Sequence, residues 1–244
     1  VVEAENKRRR EELETAQEVQ SSFLPDSLKN IPGYSISYYH LPAREVGGDY
    51  YDIQEREGKH YLFLGDATGH GLSAGIMVAM IRSALSMVSF ENPGSMLSTL
   101  NKALKSIRLR LLHMALLIAR IDPDDTITIS SAAIPHIMHY RNKSNSIEII
   151  EANGLPLGAM KSAAFYDIRA TIEPGDTLFL STDGLPELVN GESEQLGYER
   201  LKSFFHSQCG RDTETIRDQC VDLVNEWSEG AEAEDDITFI VIRR

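Results

Sequence analysis

The chain has 244 residues, of which 42% are hydrophobic, and a formal net charge of −13. This length suits a globular domain with a sizeable core, and the negative charge argues against a nucleic-acid-binding surface or adsorption to an anionic membrane. The longest run without a charged residue, 67–81, is too short to span a bilayer. Cys209 and Cys220 form no CxxC pattern, which favours reduced, buried thiols in a cytoplasmic protein.

Residues 1–24 are rich in Glu, Lys and Arg and contain no Gly or Pro. Opposite charges four residues apart, such as Glu3 and Lys7, predict an exposed helix that ends before Pro25. One side of this helix carries a narrow seam that suits pairing with another helix or packing on its own domain. The seam consists of Leu13, Ala16, Gln20 and Phe23.

The first residues resemble neither a signal peptide nor a transit peptide, and there is no initiator Met. We therefore expect a piece of a longer chain. It would comprise an N-terminal helical linker at 1–24 and one domain at 25–244.

Apolar runs of strand length begin at Tyr34 and are joined by short turns, which favours antiparallel hairpins. Helical patterns come in blocks, two within 71–108 that are split at "ENPG", and one each at 197–208 and 213–228. Helix blocks among antiparallel strands predict a layered α+β domain and not a doubly wound sheet. The predicted strands are 34–41, 50–55, 60–65, 114–121, 126–132, 136–141, 146–151, 177–182 and 237–242.

The stretch "GGDYYDIQEREGKHYLFLGD" reads as one hairpin with Glu57 and Gly58 at the centre of its turn. In that register Asp49 lies opposite Asp66, with Cβ atoms roughly 4.5 to 5.5 Å apart on one face. Two carboxylates this close repel each other unless a divalent cation lies between them. A slip of one residue would place them on opposite faces.

Acidic residues also end or begin two later strands. Asp183 follows "TLFLST", and Asp235 and Asp236 precede "ITFIVI". Hard carboxylate oxygens without Cys or spaced His ligands suit magnesium or manganese and not zinc. Two such ions about 3.5 to 4 Å apart can promote in-line displacement at phosphorus. Each Asp-Gly pair by itself is usually only a turn, so the inference depends on the combination.

In their order along the chain, "PAREVGGDYYD", "GDATGHG", "GLPLG", "EPGDTLFLSTDG" and "DDITFIVI" resemble the bacterial PPM-type Ser/Thr protein phosphatases of the SpoIIE-like and RsbU-like kind. These are distant relatives of the eukaryotic type 2C phosphatases. The resemblance covers roughly residues 16–244 and includes "AQEVQSSFLP". It implies a sandwich of two antiparallel sheets flanked by helices.

The same resemblance implies two Mn²⁺ or Mg²⁺ ions between the sheet edges and leaves a third ion open. It implies that water activated by the metals attacks phosphorus and that no phosphoenzyme forms. Asp66 is the expected bridging ligand. The other expected ligands are Asp183 and Asp235 for the second ion, the Ala67 carbonyl for the first, and Asp49 directly or through water.

Two residues near these motifs, His70 and Arg44, each have two possible interpretations. His70 would orient water or protonate the leaving oxygen, or else be a solvent-facing loop residue. Arg44 would meet a substrate phosphate, or else form a surface ion pair beside Glu45. Asp236 stands where eukaryotic relatives often have Asn.

The segment "SSAAIPHIM" departs from the family pattern. Relatives often show an Ala-Gly-His string here, and Ala133 and Ile134 replace its Gly-His. This puts any substrate contact there in doubt. His136 and His139 are three apart on a strand, so they should face opposite sides and share no metal.

The resemblance implies a phosphorylated protein substrate, typically a STAS-type anti-sigma-factor antagonist, and a sensor domain upstream. A cytoplasmic location is expected, while a homodimer through the N-terminal helix and a membrane anchor elsewhere in the full-length protein are left open. No cysteine-phosphatase Cys-x₅-Arg motif and no P-loop is present. The serious alternative is a catalytically silent module that uses this fold to bind a partner.

Overall fold

The computed structural model of the chain describes residues 17–107, 112–134, 136–231 and 233–244, together with residues 5, 7, 8 and 15. Within them, ten strands form two five-stranded antiparallel sheets. Sheet I contains, in spatial order, β1 (Ser35–Leu41), β10 (Ile237–Arg243), β9 (Thr177–Ser181), β6 (His136–Arg141) and β7 (Ser146–Glu151). Sheet II contains β2 (Asp49–Arg56), β3 (Lys59–Ala67), β4 (Met114–Ile121), β5 (Thr126–Ala132) and β8 (Ile168–Thr171).

The two sheets pack face to face, and helices cover both outer faces. Leu62 and Leu64 of β3 pack with Ile240 of β10 in the core between the sheets, whereas Tyr61 and Phe63 of β3 face the helices outside sheet II. The strand is therefore apolar on both faces, as expected for a buried layer. Helices α1 (Leu72–Leu85) and α2 (Pro93–Ser106) cover sheet II, and α3 (Tyr198–Gln208) and α4 (Thr213–Ser228) cover sheet I.

This arrangement confirms the predicted α+β sandwich and the predicted blocks of helices. The break at "ENPG" is the start of α2, with Asn92 as the N-cap and Pro93 in the first turn. Strand β8 was not predicted, because four residues, "IRAT", are too short for a clear alternation. Cys220 is buried but Cys209 is only half-buried, so the expectation of two buried thiols is wrong for Cys209.

The N-terminal helix is only partly described. Residues 17–21 are helical, and the helix ends before Pro25 as predicted. Leu13 and Ala16 of the predicted pairing seam, and Glu3 of the predicted charge pair with Lys7, lie outside the described residues. In the part of the chain that the structure covers, no helix is both long and apolar enough to cross a membrane.

The β2–β3 hairpin has the predicted register, with Asp49 paired to Asp66. Its turn residues Glu57 and Gly58 both have positive φ, 53° and 74°, as in the two-residue turns that match strand twist. Since Tyr51 and Leu64 of the same strand faces lie in the core between the sheets, Asp49 and Asp66 also face that space. They lie at its open end.

Candidate metal centre

Close backbone packing brings the ends of β2 and β3 together at the acidic site. The Ala67 amide donates to the Gly48 carbonyl at 3.0 Å. A Cβ on Gly48 would lie 3.0 Å from the Ala67 carbonyl oxygen and 3.4 Å from Asp66 Oδ1. Gly48 therefore allows a close approach that a larger side chain would crowd.

The ends of β9 and β10 meet in a similar way in sheet I. A Cβ on Gly184 would lie 2.0 Å from the Asp236 carbonyl oxygen, so only glycine fits the turn that follows Asp183. Asp235 Oδ1 accepts a hydrogen bond from the Asp236 amide at 2.8 Å. This packing brings Asp183 near enough to Asp235 for its charge to raise the pKa of Asp235.

Asp49 connects the two sheets. Its Oδ2 accepts hydrogen bonds from Thr182 Oγ1 at 3.0 Å, just after β9, and from Thr238 Oγ1 in β10. The residue is only 1% exposed, and its Oδ1 is buried without a hydrogen-bond partner. Burial, followed by the charge of Asp66, raises the pKa of Asp49 well above its usual value.

The acidic groups raise one another's pKa values. Burial and then the charges of Asp183 and Asp235 raise the pKa of Asp66 to about 8. Burial and the charge of Asp183 also raise the pKa of Asp235, despite its hydrogen bond from the Asp236 amide. A cluster of this kind favours a bound cation, because nearby positive charge stabilises the ionised form of carboxylates whose pKa values are raised.

Glu187 joins this cluster and was not predicted. Its amide donates to the Asp183 carbonyl at 2.9 Å, so it lies one helical turn beyond Asp183. Burial and the charges of Asp183 and Asp235 raise its pKa. The only sequence signal was its position four residues after Asp183, which becomes informative once that turn is known to be helical.

Asp236 has a structural position. Its Oδ1 accepts from the Ala43 amide at 2.7 Å, and its Oδ2 accepts from the Gly48 amide. Both oxygens are thus used by the loop that enters β2. An Asn at this position could accept with only one side-chain oxygen, so the carboxylate holds this loop more completely.

His70 and Arg44 lie at the rim. Both are exposed, and the charge of His70 acts to lower the pKa of Asp235. Arg44 follows Ala43 and lines a cleft of about 450 Å³ beside the site. Gly69 and Gly71, with φ of 85° and 75°, form the turn that carries His70. The catalytic role of His70 and the substrate contact of Arg44 stay predictions.

The donor chemistry of the site fits a hard divalent cation. Within the described ranges, no three His, Cys, Asp or Glu side chains are placed so that they could already hold a metal ion. The carboxylates nevertheless converge, and the unpartnered Oδ1 of Asp49 and the raised pKa of Asp66 both call for positive charge.

The two strand histidines do not contribute to it. His139 is fully buried with Nε2 3.0 Å from Asp176 Oδ2, whereas the ring of His136 packs on Tyr198 outside sheet I, with ring centroids 4.5 Å apart. They face opposite sides of β6, as predicted.

The fold is that of the PP2C phosphatase domains. The SiaA-PP2C domain of Pseudomonas aeruginosa superimposes with a TM-score of 0.85 at 20% identity, covering 99% of this chain and 98% of that one. The RsbU and RsbW domains of Rv1364c from Mycobacterium tuberculosis give a TM-score of 0.78 at 21% identity, covering 91% of this chain and 63% of that one.

Sequence comparison assigns the chain to one family within this fold. Residues 56–244 match the family described as Stage II sporulation protein E (SpoIIE), and the chain belongs to that family. It is 25% identical over 239 residues to the phosphoserine phosphatase RsbU of Bacillus subtilis, covering 96% of this chain and 70% of RsbU. It is 26% identical to the protein IcfG of Synechocystis sp., covering 96% of this chain but only 41% of IcfG.

Proposed function

We propose that this chain is a divalent-metal-dependent protein serine/threonine phosphatase. The observation that carries the proposal is the buried Asp49, whose unpartnered Oδ1 lies in a cluster with Asp66, Asp183 and Asp235. The similarity to a phosphoserine phosphatase, RsbU, supports the reaction. The solved structure of a relative, RsbX, in complex with magnesium supports the cofactor class.

Asp49, Asp66 and the Ala67 carbonyl would hold one Mn²⁺ or Mg²⁺, and Asp183 and Asp235 a second, with Asp66 shared. Two bound ions would activate a water and neutralise the phosphate. The protein's own groups prepare this site, because Thr182 and Thr238 fix Asp49 while Asp236 fixes the neighbouring backbone. Without a cation the acidic cluster repels a phosphate dianion, so hydrolysis should depend strictly on metal.

Two rim residues complete the proposed mechanism. His70 would orient water or protonate the leaving serine oxygen, since it lies near enough to Asp235 to influence its pKa. Arg44 would contact the phosphate with its guanidinium fork. Both are exposed and therefore accessible to a protein substrate.

The proposed substrate is a phosphoserine or phosphothreonine on a small STAS-type anti-sigma-factor antagonist in the cytoplasm. Support comes from the similarity to RsbU and to a protein that joins RsbU and RsbW domains. The chain spans 70% and 41% of the two curated relatives. This is compatible with a sensor domain elsewhere in a longer protein.

We also infer that the N-terminal helix regulates the site. Gln20 Nε2 donates to the Gly47 carbonyl at 2.6 Å, and the Gly47 amide donates to Gln20 Oε1 at 3.3 Å. Gln20 is 8% exposed, so the helix is fastened to the residue before Gly48. Pairing of residues 1–24 in a homodimer would shift this fastening and the nearby α1, and thereby change metal occupancy.

Deletion of residues 1–24 and the Gln20→Ala variant test that regulation. Both should lower the manganese-dependent rate, and the deletion should also change the oligomeric state measured by light scattering. A deletion that alters neither quantity would contradict the regulatory role and leave the phosphatase assignment untouched.

Hydrolysis of a phosphoserine peptide and of an aryl phosphate, titrated with manganese, tests the main proposal. Asp66→Asn and Asp235→Asn should each lower the rate by more than about 100-fold with folding intact. Asp124→Asn, on an exposed turn, is the matched control. A wild-type chain that binds manganese without turnover indicates an enzyme awaiting activation, and one that binds none favours the silent partner-binding module.

A further inference from the structure

His40 lies behind the acidic site and contacts none of its proposed ligands by hydrogen bond. It pairs with Thr238 across β1 and β10, and its Nδ1 is 2.9 Å from Thr238 Oγ1. Its ring packs against Tyr51, with centroids 5.2 Å apart. Because Thr238 Oγ1 also bonds Asp49 Oδ2, a continuous hydrogen-bonded chain runs from His40 to Asp49.

The number of available protons determines which group donates in each hydrogen bond between His40, Thr238 and Asp49. The Thr238 hydroxyl has one proton, and Oδ2 of the ionised Asp49, the form that binds a cation, can only accept. Thr238 must then accept from His40, which requires a proton on Nδ1. If Nδ1 carried no proton, His40 and Asp49 would compete for the single Thr238 proton.

The second hydroxyl on Asp49 is oriented by the same logic. The Thr238 amide donates to Thr182 Oγ1 at 3.1 Å. The Thr182 hydroxyl has two acceptors in reach, Asp49 Oδ2 at 3.0 Å and the Thr238 carbonyl at 3.3 Å, and the carboxylate is the closer and the charged one. Both donors converge on Oδ2, which leaves Oδ1 without a partner. Each hydroxyl is thus held by a further N–H donor behind it.

We propose that His40 is a positioning residue, whose Nδ1–H fixes the Thr238 hydroxyl proton on Asp49 Oδ2 and so presents Oδ1 to a cation. This proposal rests on the proposed function, because the bound cation is what keeps Asp49 ionised. Groups behind a metal ligand in this way change metal affinity by about 10- to 100-fold when they are removed.

The ring environment supports this assignment. Burial lowers the pKa of His40, although the charge of Asp236 opposes the shift. The ring is therefore neutral near pH 7 and carries one N–H. Thr238 is the hydrogen-bond partner of Nδ1. The tautomer of His40 therefore reports whether His40 donates to Thr238 and Thr238 in turn donates to Asp49.

Nitrogen NMR of the wild-type protein saturated with Mg²⁺, in which Asp49 is ionised, tests the direction first. We expect the His40 proton on Nδ1 near pH 7. A proton on Nε2 alone in the Mg²⁺-bound protein would overturn the proposal, whereas absence of Mg²⁺ binding would overturn the proposed function. This measurement therefore separates failure of the positioning role from failure of the phosphatase assignment.

Calorimetric titration with Mn²⁺ then tests the consequence. His40→Phe keeps a ring against Tyr51 but removes the donor, and should weaken Mn²⁺ binding about 10-fold or more. His40→Asn keeps an amide donor near the Nδ1 position and should restore affinity to within about 3-fold of wild type. Unchanged affinity in His40→Phe would overturn the proposal.

A second pair of variants guards against misfolding of His40→Phe, which thermal unfolding would reveal. Thr238→Ser keeps the hydroxyl and Thr238→Val removes it at similar volume. Only the Val variant should lose Mn²⁺ affinity. Equal Mn²⁺ affinity in the two Thr238 variants would overturn the proposed hydrogen-bond network. Absence of Mn²⁺ binding in the wild type would overturn the proposed function instead.

Discussion

Two buried carboxylates lie at opposite ends of β9 and are satisfied in very different ways. Asp176, just before β9, and Asp49, which contacts Thr182 just after it, are each 1% exposed. Asp176 accepts from the Asn142 and Glu173 amides at 2.9 and 3.1 Å. It also accepts from His139 and Arg141, at 3.0 and 3.2 Å.

The pKa values follow this difference in donors. Burial acts to raise the pKa of Asp176, but its amide donors and His139 outweigh burial and leave the pKa below the usual value. Asp49 has two hydroxyl donors on one oxygen and none on the other, and its pKa is raised. A buried carboxylate whose donors all come from the protein is structural, whereas an incompletely satisfied one indicates a cation site.

Asp49→Asn gives the largest expected effect on activity. Manganese-dependent hydrolysis should fall more than about 100-fold, because a proposed metal ligand is lost. The metal-free stability should not fall, since the variant removes a buried charge that lacks a full set of partners. Steady-state kinetics and urea unfolding measure the two quantities. An active Asp49→Asn chain would remove the distinction between the two carboxylates.

Asp176→Asn should show the reverse pattern. Losing the charge beside His139 and Arg141 should lower the free energy of unfolding by about 3 kcal/mol, while activity per folded molecule remains. Urea unfolding measures the loss, with the exposed Asp124→Asn as control, which should change stability much less. A comparable loss in the control would show that the effect is not specific to the buried network.

The pH dependence of the metal-free chain should have opposite signs at the two sites. Asp66 titrates at about 8 in the folded chain and at about 4 when unfolded. The folded chain therefore binds more protons between these values, and stability falls as pH rises from about 4 to about 8. Asp176, with a lowered pKa, contributes stability that is lost as pH falls below about 4.

Unfolding in a chelating buffer across this range checks both signs. Asp66→Asn should flatten the decline toward pH 8, and Asp176→Asn should flatten the acid limb. The same pH profile in the two variants would contradict the assignment.

Ala133→Gly gives the smallest expected effect. Ala133 has a φ of 76°, and left-handed backbone costs a non-glycine residue about 1 to 2 kcal/mol. Glycine at this position, where the family pattern has Gly, should raise stability by about 1 kcal/mol without changing hydrolysis. Ala132→Gly, inside β5, should lower stability instead. A destabilised Ala133→Gly would show that the strain is balanced by contacts of the methyl group.

The features that could be predicted from the sequence are those with signals over short separations along the chain. The register of Asp49 and Asp66 followed from a hairpin whose turn and alternation lie within twenty residues. Contacts over longer separations carried no such signal. Thr238 and Thr182 are ordinary strand residues until β10 and β9 come to lie beside Asp49, and Asp236 could not be assigned to the Ala43 and Gly48 amides from sequence.

Calorimetric titration of the metal-free chain with Mn²⁺ near pH 7, in two buffers of different ionisation enthalpy, tests the central claim most directly. We expect binding accompanied by proton release, because a cation displaces the proton from Asp66, whose pKa is raised to about 8. Asp49→Asn should bind more weakly, and Asp66→Asn should both bind more weakly and release fewer protons. Absence of binding, or unchanged affinity in both variants, would contradict the assignment of these carboxylates as a cation site.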